Sequence, residues 1–206
     1  MTRLPIHGIA IAIAILPPLL LAFRFVTEGP GANPIEEITH LTGDGGLRFL
    51  LLSLAITPAR RWFGWRGIAP LRRTFGLIAF AYACTHLAIW ALVDLGLDWN
   101  AIAEDLTERP YVMAGMAAWS LLFVLAVTST RSAMTRLGKR WIRLHQGVYL
   151  AALLGVVHHF WLIKADYRPA IVHGGVLALL FAARLAWRLR NAPGMPRASL
   201  DSPISR

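Results

Sequence analysis

The sequence predicts an all-α fold, a polytopic membrane helical bundle with six transmembrane helices, and three observations predict it. The chain is 56% hydrophobic and only 16% charged, with eight Trp in 206 residues, outside the usual range of water-soluble domains. Six apolar stretches, at about 6–25, 40–57, 75–93, 111–128, 147–163 and 170–187, approach the roughly 20 helical residues needed to cross a ~30 Å hydrocarbon core. The segments between them alternate in charge. Segment 58–74 carries Arg60, Arg61, Arg66, Arg72 and Arg73 with no acid, and 129–145 carries Arg131, Arg136, Lys139, Arg140 and Arg143 with none. Segment 27–46 instead has Glu28, Glu36, Glu37 and Asp44 without Lys or Arg, and 94–110 has five acids against Arg109 alone.

That alternation is what the positive-inside rule gives for a chain weaving through a bilayer with both termini cytoplasmic. Arg3, Arg188, Arg190 and Arg197 agree with it. Odd spans then run outward and even spans inward. In a soluble protein a net charge of +10 would point to nucleic acid; distributed over alternate loops, it points to membrane topology and argues against a nucleic-acid partner.

The first stretch, "IHGIAIAIAILPPLLLAF", lacks a small-x-small cleavage site followed by a polar start. It reads as a retained span kinked at Pro17 and Pro18 rather than a secretion signal. The second is the weakest: its strongly apolar part, "LRFLLLSLAI", is short, and part of the preceding "IEEITHLTGDGG" is expected to lie on the outer surface as a short interfacial helix. "RRWFGWRG" mixes Trp62, Phe63 and Trp65 with arginines, the composition of an inner-interface anchor. The third stretch holds the only cysteine, Cys84, so no intrachain disulfide forms and the thiol reads as a small packing residue. "DLGLDWNAIAEDLTER", between the third and fourth, reads first as a solvated loop and second as a docking surface. No repeat or linker divides the chain, so one membrane domain is expected over 1–190. A flexible cytoplasmic tail, "NAPGMPRASLDSPISR", is expected over 191–206.

Function rests on histidine. His86, His158, His159 and His173 fall inside expected spans, and His145 lies at the inner edge of the fifth. An ionisable group in hydrocarbon costs roughly 2–3 kcal/mol or more, so each marks a functional site or a hydrogen bond to a neighbouring helix. Depth separates the two readings. His86 lies eleven residues beyond Phe75 and His158 eleven beyond Gly147, on two spans that run the same way. Imidazoles at matched depth can hold a flat cofactor from opposite sides, and haem is the obvious one, with two axial nitrogens and an apolar macrocycle. Zinc competes poorly, because structural sites want four ligands and the spans offer little Cys or carboxylate. His145, thirteen residues before His158, is about 19 Å away along a helix, too far to share one cofactor plane and a reasonable separation for a second redox centre toward the inner face. Helical periodicity aligns His159 with His145 better than His158, and spacing alone leaves that choice open. Level with His145 on the third span stand Arg72 and Arg73, which suit haem propionates or a flavin phosphate as well as ordinary positive-inside charge.

"NPIEEITHLTGDGGLRFLLLSLAITPAR", "RRTFGLIAFAYACTHLAIWALVD", "ERPYVMAGMAAWSLLFVLAVTST", "RLGKRWIRLHQGVYLAAL" and "VVHHFWLIKAD" together resemble the haem-binding membrane subunits of bacterial protein-methionine-sulfoxide reductase systems. These subunits are a branch of the ferric-reductase-like transmembrane domains. The likeness runs from about Asn33 to Asp166. It implies a six-helix inner-membrane protein carrying b-type haem, one or two per chain. Electrons would come from a cytoplasmic flavin reductase, with FMN or quinol as intermediate or alternative donor. They would pass to a periplasmic molybdopterin methionine sulfoxide reductase that repairs oxidised proteins. By motif match His86 in "THL", His145 in "RLH" and His158 in "VHHFW" correspond to the family's haem-associated histidines, and Arg72-Arg73 to a flavin-associated basic pair. The related oxidases carry two histidines on the third span and this chain one, which leaves an inner haem's ligation open. No catalytic pocket of its own is evident. The rival readings are a histidine-dependent transporter, which needs broken spans and central carboxylates, a ferric-reductase-like protein with another electron acceptor, and an assembly subunit whose histidines only bridge helices.

Overall fold

The structure, a computed structural model, describes residues 4–162 and 167–191. Arg3, Arg197, the end of the "VVHHFWLIKAD" motif and the expected tail from residue 192 onward lie outside the described residues. All regular structure among the described residues is helical. Helix α1 (Leu4–Thr27) runs on through Pro17 and Pro18. Helix α2 (Pro34–Phe63) has Pro34 in its first turn and begins where the Asn33 side chain accepts the Glu36 N–H. It ends at Gly64, whose φ of 70° is the left-handed stop that glycine adopts freely. Helix α3 (Leu71–Ala88) continues into a π-helical turn, Ile89–Asp94. Helices α4 (Trp99–Glu108) and α5 (Pro110–Val127) follow, then two short helices on the basic side, α6 (Arg131–Leu137) and α7 (Lys139–Leu144), then α8 (Gly147–Leu162) and α9 (Arg168–Arg190).

Cross-helix contacts fix the relative directions. Ser53 meets Arg72 and Gly43 meets His86, so α2 and α3 are antiparallel. His7 meets Thr74 and Ala14 meets Tyr82, so α1 runs with α3. Gly115 with His158 and Leu121 with Gly147 make α5 and α8 antiparallel. Tyr149 with Phe181 and His159 with His173 do the same for α8 and α9. The bundle therefore has an acidic end, bearing Glu36, Glu37 and Asp105, and a basic end, bearing Arg60, Arg61, Arg72 and Arg73.

Small residues close the helix contacts: Ala79, Ala151 and Ala152 are fully buried beside Leu50, Leu54 and Leu177, as expected where lipid gives no hydrophobic drive between helices and close packing must hold them. The large apolar side chains face outward instead. Ile9, Ile13, Leu16, Leu19 and Phe23 of α1 are exposed while Ala10 and Ala14 are buried, an inside-out pattern suited to hydrocarbon. Among the described residues, four stretches are long and apolar enough to cross a membrane: Ile6–Thr27, Arg66–Asp94, Pro110–Val127 and Arg168–Arg190. The two other expected spans correspond to α2 and α8. At the basic end Trp62 packs edge-on against Trp187, with Arg190 over Trp62 and Arg61 over Trp187, as an interfacial anchor would.

Three expectations change. "IEEITHLTGDGG" is no separate surface helix but the first turns of α2. Gly43 and Gly45 stay helical there, against a cost of about 1 kcal/mol each relative to Ala, because the rings of His86 and Tyr82 occupy the space a Cβ would fill. The acidic segment after the third span is not simply a solvated loop. It contains α4, capped by Asp98, which accepts from Asn100 N–H at 2.9 Å and Ala101 N–H at 3.3 Å. And no single helix joins His145 to His158, because a turn at His145-Gln146 separates α7 from α8.

Candidate functional site

His86 on α3 and His158 on α8 meet at the acidic end. Their ring centroids lie 6.2 Å apart with planes at 83°, and both line one cavity of about 270 Å³. The fold thus brings together the two histidines that lie at matched depth in the sequence. Each ring is tied by Nδ1 to a backbone carbonyl, His86 to Thr39 O at 3.1 Å and His158 to Tyr111 O at 2.6 Å. A carbonyl only accepts, so Nδ1 carries the proton and Nε2 keeps the lone pair, the form in which imidazole binds a metal.

The two tethers share a construction that the sequence alone does not reveal. The accepting carbonyl is followed four residues later by a glycine, Thr39 by Gly43 and Tyr111 by Gly115, one helical turn on and on the same face. A Cβ at Gly43 would stand 3.1 Å from His86 Cε1, and one at Gly115 only 2.8 Å from His158 Nδ1. The glycines are what let the rings lie close enough to reach the carbonyls. Two imidazoles that share one metal atom at about 2 Å each have ring centres no more than roughly 6 Å apart, close to the 6.2 Å separation found here. The donor set and glycine cradles therefore fit a haem iron.

His159 takes the other direction. It turns to α2 and α9, with Nδ1 3.7 Å from Asp44 Oδ1 and its ring 5.2 Å from that of His173. The periodicity that favoured His159 as the partner of His145 fails because it assumed a continuous helix. At the cavity mouth Trp90, on the π-helical turn, donates to Asp105 at 3.4 Å, and Asp105 also pairs with Arg109 at 3.1 Å. These contacts fasten α4 over the acidic end. Trp119 lines the cavity with its indole N–H buried and without a partner among the described residues.

The basic end holds a second, larger cavity of about 700 Å³, and Arg72, Arg73 and His145 all line it, together with His7, Arg131 and Trp141. His145 is held differently from the outer pair. Its Nε2 meets the Thr128 hydroxyl at 3.1 Å and its ring stacks on Trp141, centroids 4.0 Å apart, while the Trp141 indole donates to Thr128 O at 2.9 Å. Burial, then the nearby Arg72 charge, push its pKa below the ordinary histidine range, so it is neutral at pH 7. His7, with Nδ1 2.7 Å from Thr74 Oγ1, is a second imidazole in this cavity that sequence reasoning missed, since it precedes every motif that resembles the family. Only its place in an apolar span could have flagged it.

Residues 42–156 match the family described as ferric reductase like transmembrane component. The chain is 49% identical over 185 residues, 89% of each chain, to a protein of Rhodospirillum rubrum named protein-methionine-sulfoxide reductase heme-binding subunit MsrQ. Proteins of the same name from Caulobacter vibrioides and Xanthomonas euvesicatoria pv. vesicatoria are 42% identical over 96% of this chain and 92% of the relative, and 45% identical over 94% and 92%. Likeness of that depth over nearly the full length of both partners, joined to a helical bundle that pairs two histidines between α3 and α8, shows that the chain belongs to the MsrQ family, within the ferric reductase like transmembrane components.

Proposed function

We propose that this chain is the haem-binding membrane subunit of a methionine sulfoxide reductase system, and that it carries electrons across the bacterial inner membrane from its basic end to its acidic end. Six spans, with α2 and α8 completing the four long apolar helices, put both termini in the cytoplasm and the acidic end in the periplasm, as one membrane domain over 1–190. His86 and His158 would hold one haem b. When bound, that group would supply the one-electron redox chemistry, and the protein would supply two imidazole ligands, burial and spacing. The donor is a cytoplasmic flavin reductase or quinol, and the acceptor is a periplasmic molybdopterin methionine sulfoxide reductase docking near α4.

At the basic end, Arg72 and Arg73 suit the phosphate of FMN, since guanidinium groups bind phosphate in charge-assisted pairs. His145 is assigned to the wall of that site rather than to a second iron: its Nε2 is already engaged by Thr128, and the imidazole that shares its cavity, His7, is likewise engaged by Thr74. The transporter reading finds less support, because α3, α5 and α9 are uninterrupted through their middles.

The observation that carries this reading is the pair of facing imidazoles, each with Nδ1 bound to a carbonyl. Purified protein is expected to be red, with one haem per chain and a Soret band that shifts on reduction. His86→Ala and His158→Ala should each bleach it. A colourless wild type after expression with ample haem supply overturns the proposal.

A further inference from the structure

Asp44, His159 and His173 come from three helices, α2, α8 and α9, and offer a carboxylate oxygen and two imidazole nitrogens that all lie within 4.8 Å of one another. Asp44 and His159 also border the cavity that His86 and His158 line, whereas His173 does not; the ring of His159 lies against that of His173 and toward Asp44, while that of His158 lies beside His86. His173 is 5% exposed, and its Nδ1 has no hydrogen-bond partner among the described residues; the same is true of His159 Nε2. A buried imidazole nitrogen left without a partner is costly, and a cation that took its lone pair would remove that cost. The carboxylate is arranged for the same purpose. Its Oδ2 takes Arg48 at 3.2 Å, while Oδ1, 3.7 Å from His159 Nδ1, faces the histidines.

We infer that Asp44, His159 and His173 form a second metal site, near the haem pocket at the acidic end, for a divalent first-row transition cation. Two imidazoles and one carboxylate with room for further ligands are the donor set of zinc and iron(II) sites rather than of calcium or magnesium, which take oxygen ligands. Binding closes the three ligand atoms from 4.8 Å or less to the roughly 3.3 Å spacing of donors around a cation at about 2 Å, a movement within reach of side-chain rotation. Arg48, with a side chain 64% exposed, can swing to water as the cation neutralises Asp44.

Zinc is the probe. Tag-free protein in detergent, stripped with chelator and titrated with zinc against a chromophoric competitor, should bind one equivalent. His173→Phe and Asp44→Asn should each weaken that binding at least tenfold, and His7→Gln should leave it unchanged. The Soret band reports folding in each variant, or helical circular dichroism if the protein proves colourless, so failure of the haem reading stays distinguishable from failure of this one. Asp44→Asn keeps the size and hydrogen bonding of the side chain and guards against loss of binding through misfolding. Equal zinc uptake by wild type and both variants, or none by the wild type, overturns the inference.

Discussion

Two cavities of this bundle, one at each end, hold their histidines by different means. At the acidic end, His86 and His158 are tied through Nδ1 to backbone carbonyls of α2 and α5, across glycines, and face one another in about 270 Å³. At the basic end, His145 is tied through Nε2 to a side-chain hydroxyl, lies against Trp141, and shares about 700 Å³ with arginines. A backbone carbonyl on a helix is fixed by its neighbours, so a ring bound to it points where the helix dictates and its free nitrogen is preorganised. A threonine hydroxyl rotates. The acidic-end cavity thus offers two imidazoles with fixed orientation, as the proposed haem site requires, and the basic-end cavity offers arginines, as the proposed flavin phosphate site requires.

The largest test of this contrast is ligand removal at each end. His86→Ala and His158→Ala should lower bound haem at least tenfold, whereas His145→Ala should keep one haem per chain, both read by pyridine haemochrome counting. Loss of half of two haems in His145→Ala would show that the basic end also holds an iron. Next in size is the glycine cradle. Gly115→Ala places a methyl group 2.8 Å from His158 Nδ1 and should reduce haem retention severalfold and shift the Soret band of what remains. Gly43→Ala, at 3.1 Å, should act in the same direction but less strongly. Gly147→Ala, whose new methyl would meet Leu121 at an ordinary 3.9 Å, should leave the spectrum unchanged.

At the basic end, Arg72→Ala with Arg73→Ala should weaken FMN binding at least tenfold with haem content intact, since a charge-assisted hydrogen bond contributes roughly 1.5–3 kcal/mol and 1.4 kcal/mol is tenfold. Flavin fluorescence quenching measures it, and high salt should mimic the loss. The smallest effect is expected from Thr128→Val, which removes the hydroxyl from His145 Nε2 at a cost of about 1 kcal/mol in stability and no change in haem content. Thermal unfolding followed by circular dichroism reads the first and the Soret band the second.

Much of the site was legible because helical depth can be counted. Equal offsets on two parallel spans sufficed to pair His86 with His158, and runs of arginine sufficed to group Arg72 and Arg73 with His145 at one end. The tethering carbonyls were not legible, since any residue carries one, nor were Gly43 and Gly115, which in one sequence look like weak points in a helix. Asp44 read as loop charge, yet it lies on α2 beside two histidines that are more than a hundred residues away in the chain. The acidic segment after α3 read as solvated, and only its fold showed Asp105, 5% exposed, held by Trp90 and Arg109.

By itself the sequence determined that this chain is helical, membrane-embedded and polarised in charge, because hydrophobic length and the placement of arginine are properties of local segments that lipid and membrane topology act on directly. Which way each imidazole turns was decided by tertiary structure alone. Adjacent residues on α8 point about 100° apart, so His158 and His159 serve different neighbours, and only the packing of α2, α3, α5 and α9 around that helix says which neighbours those are.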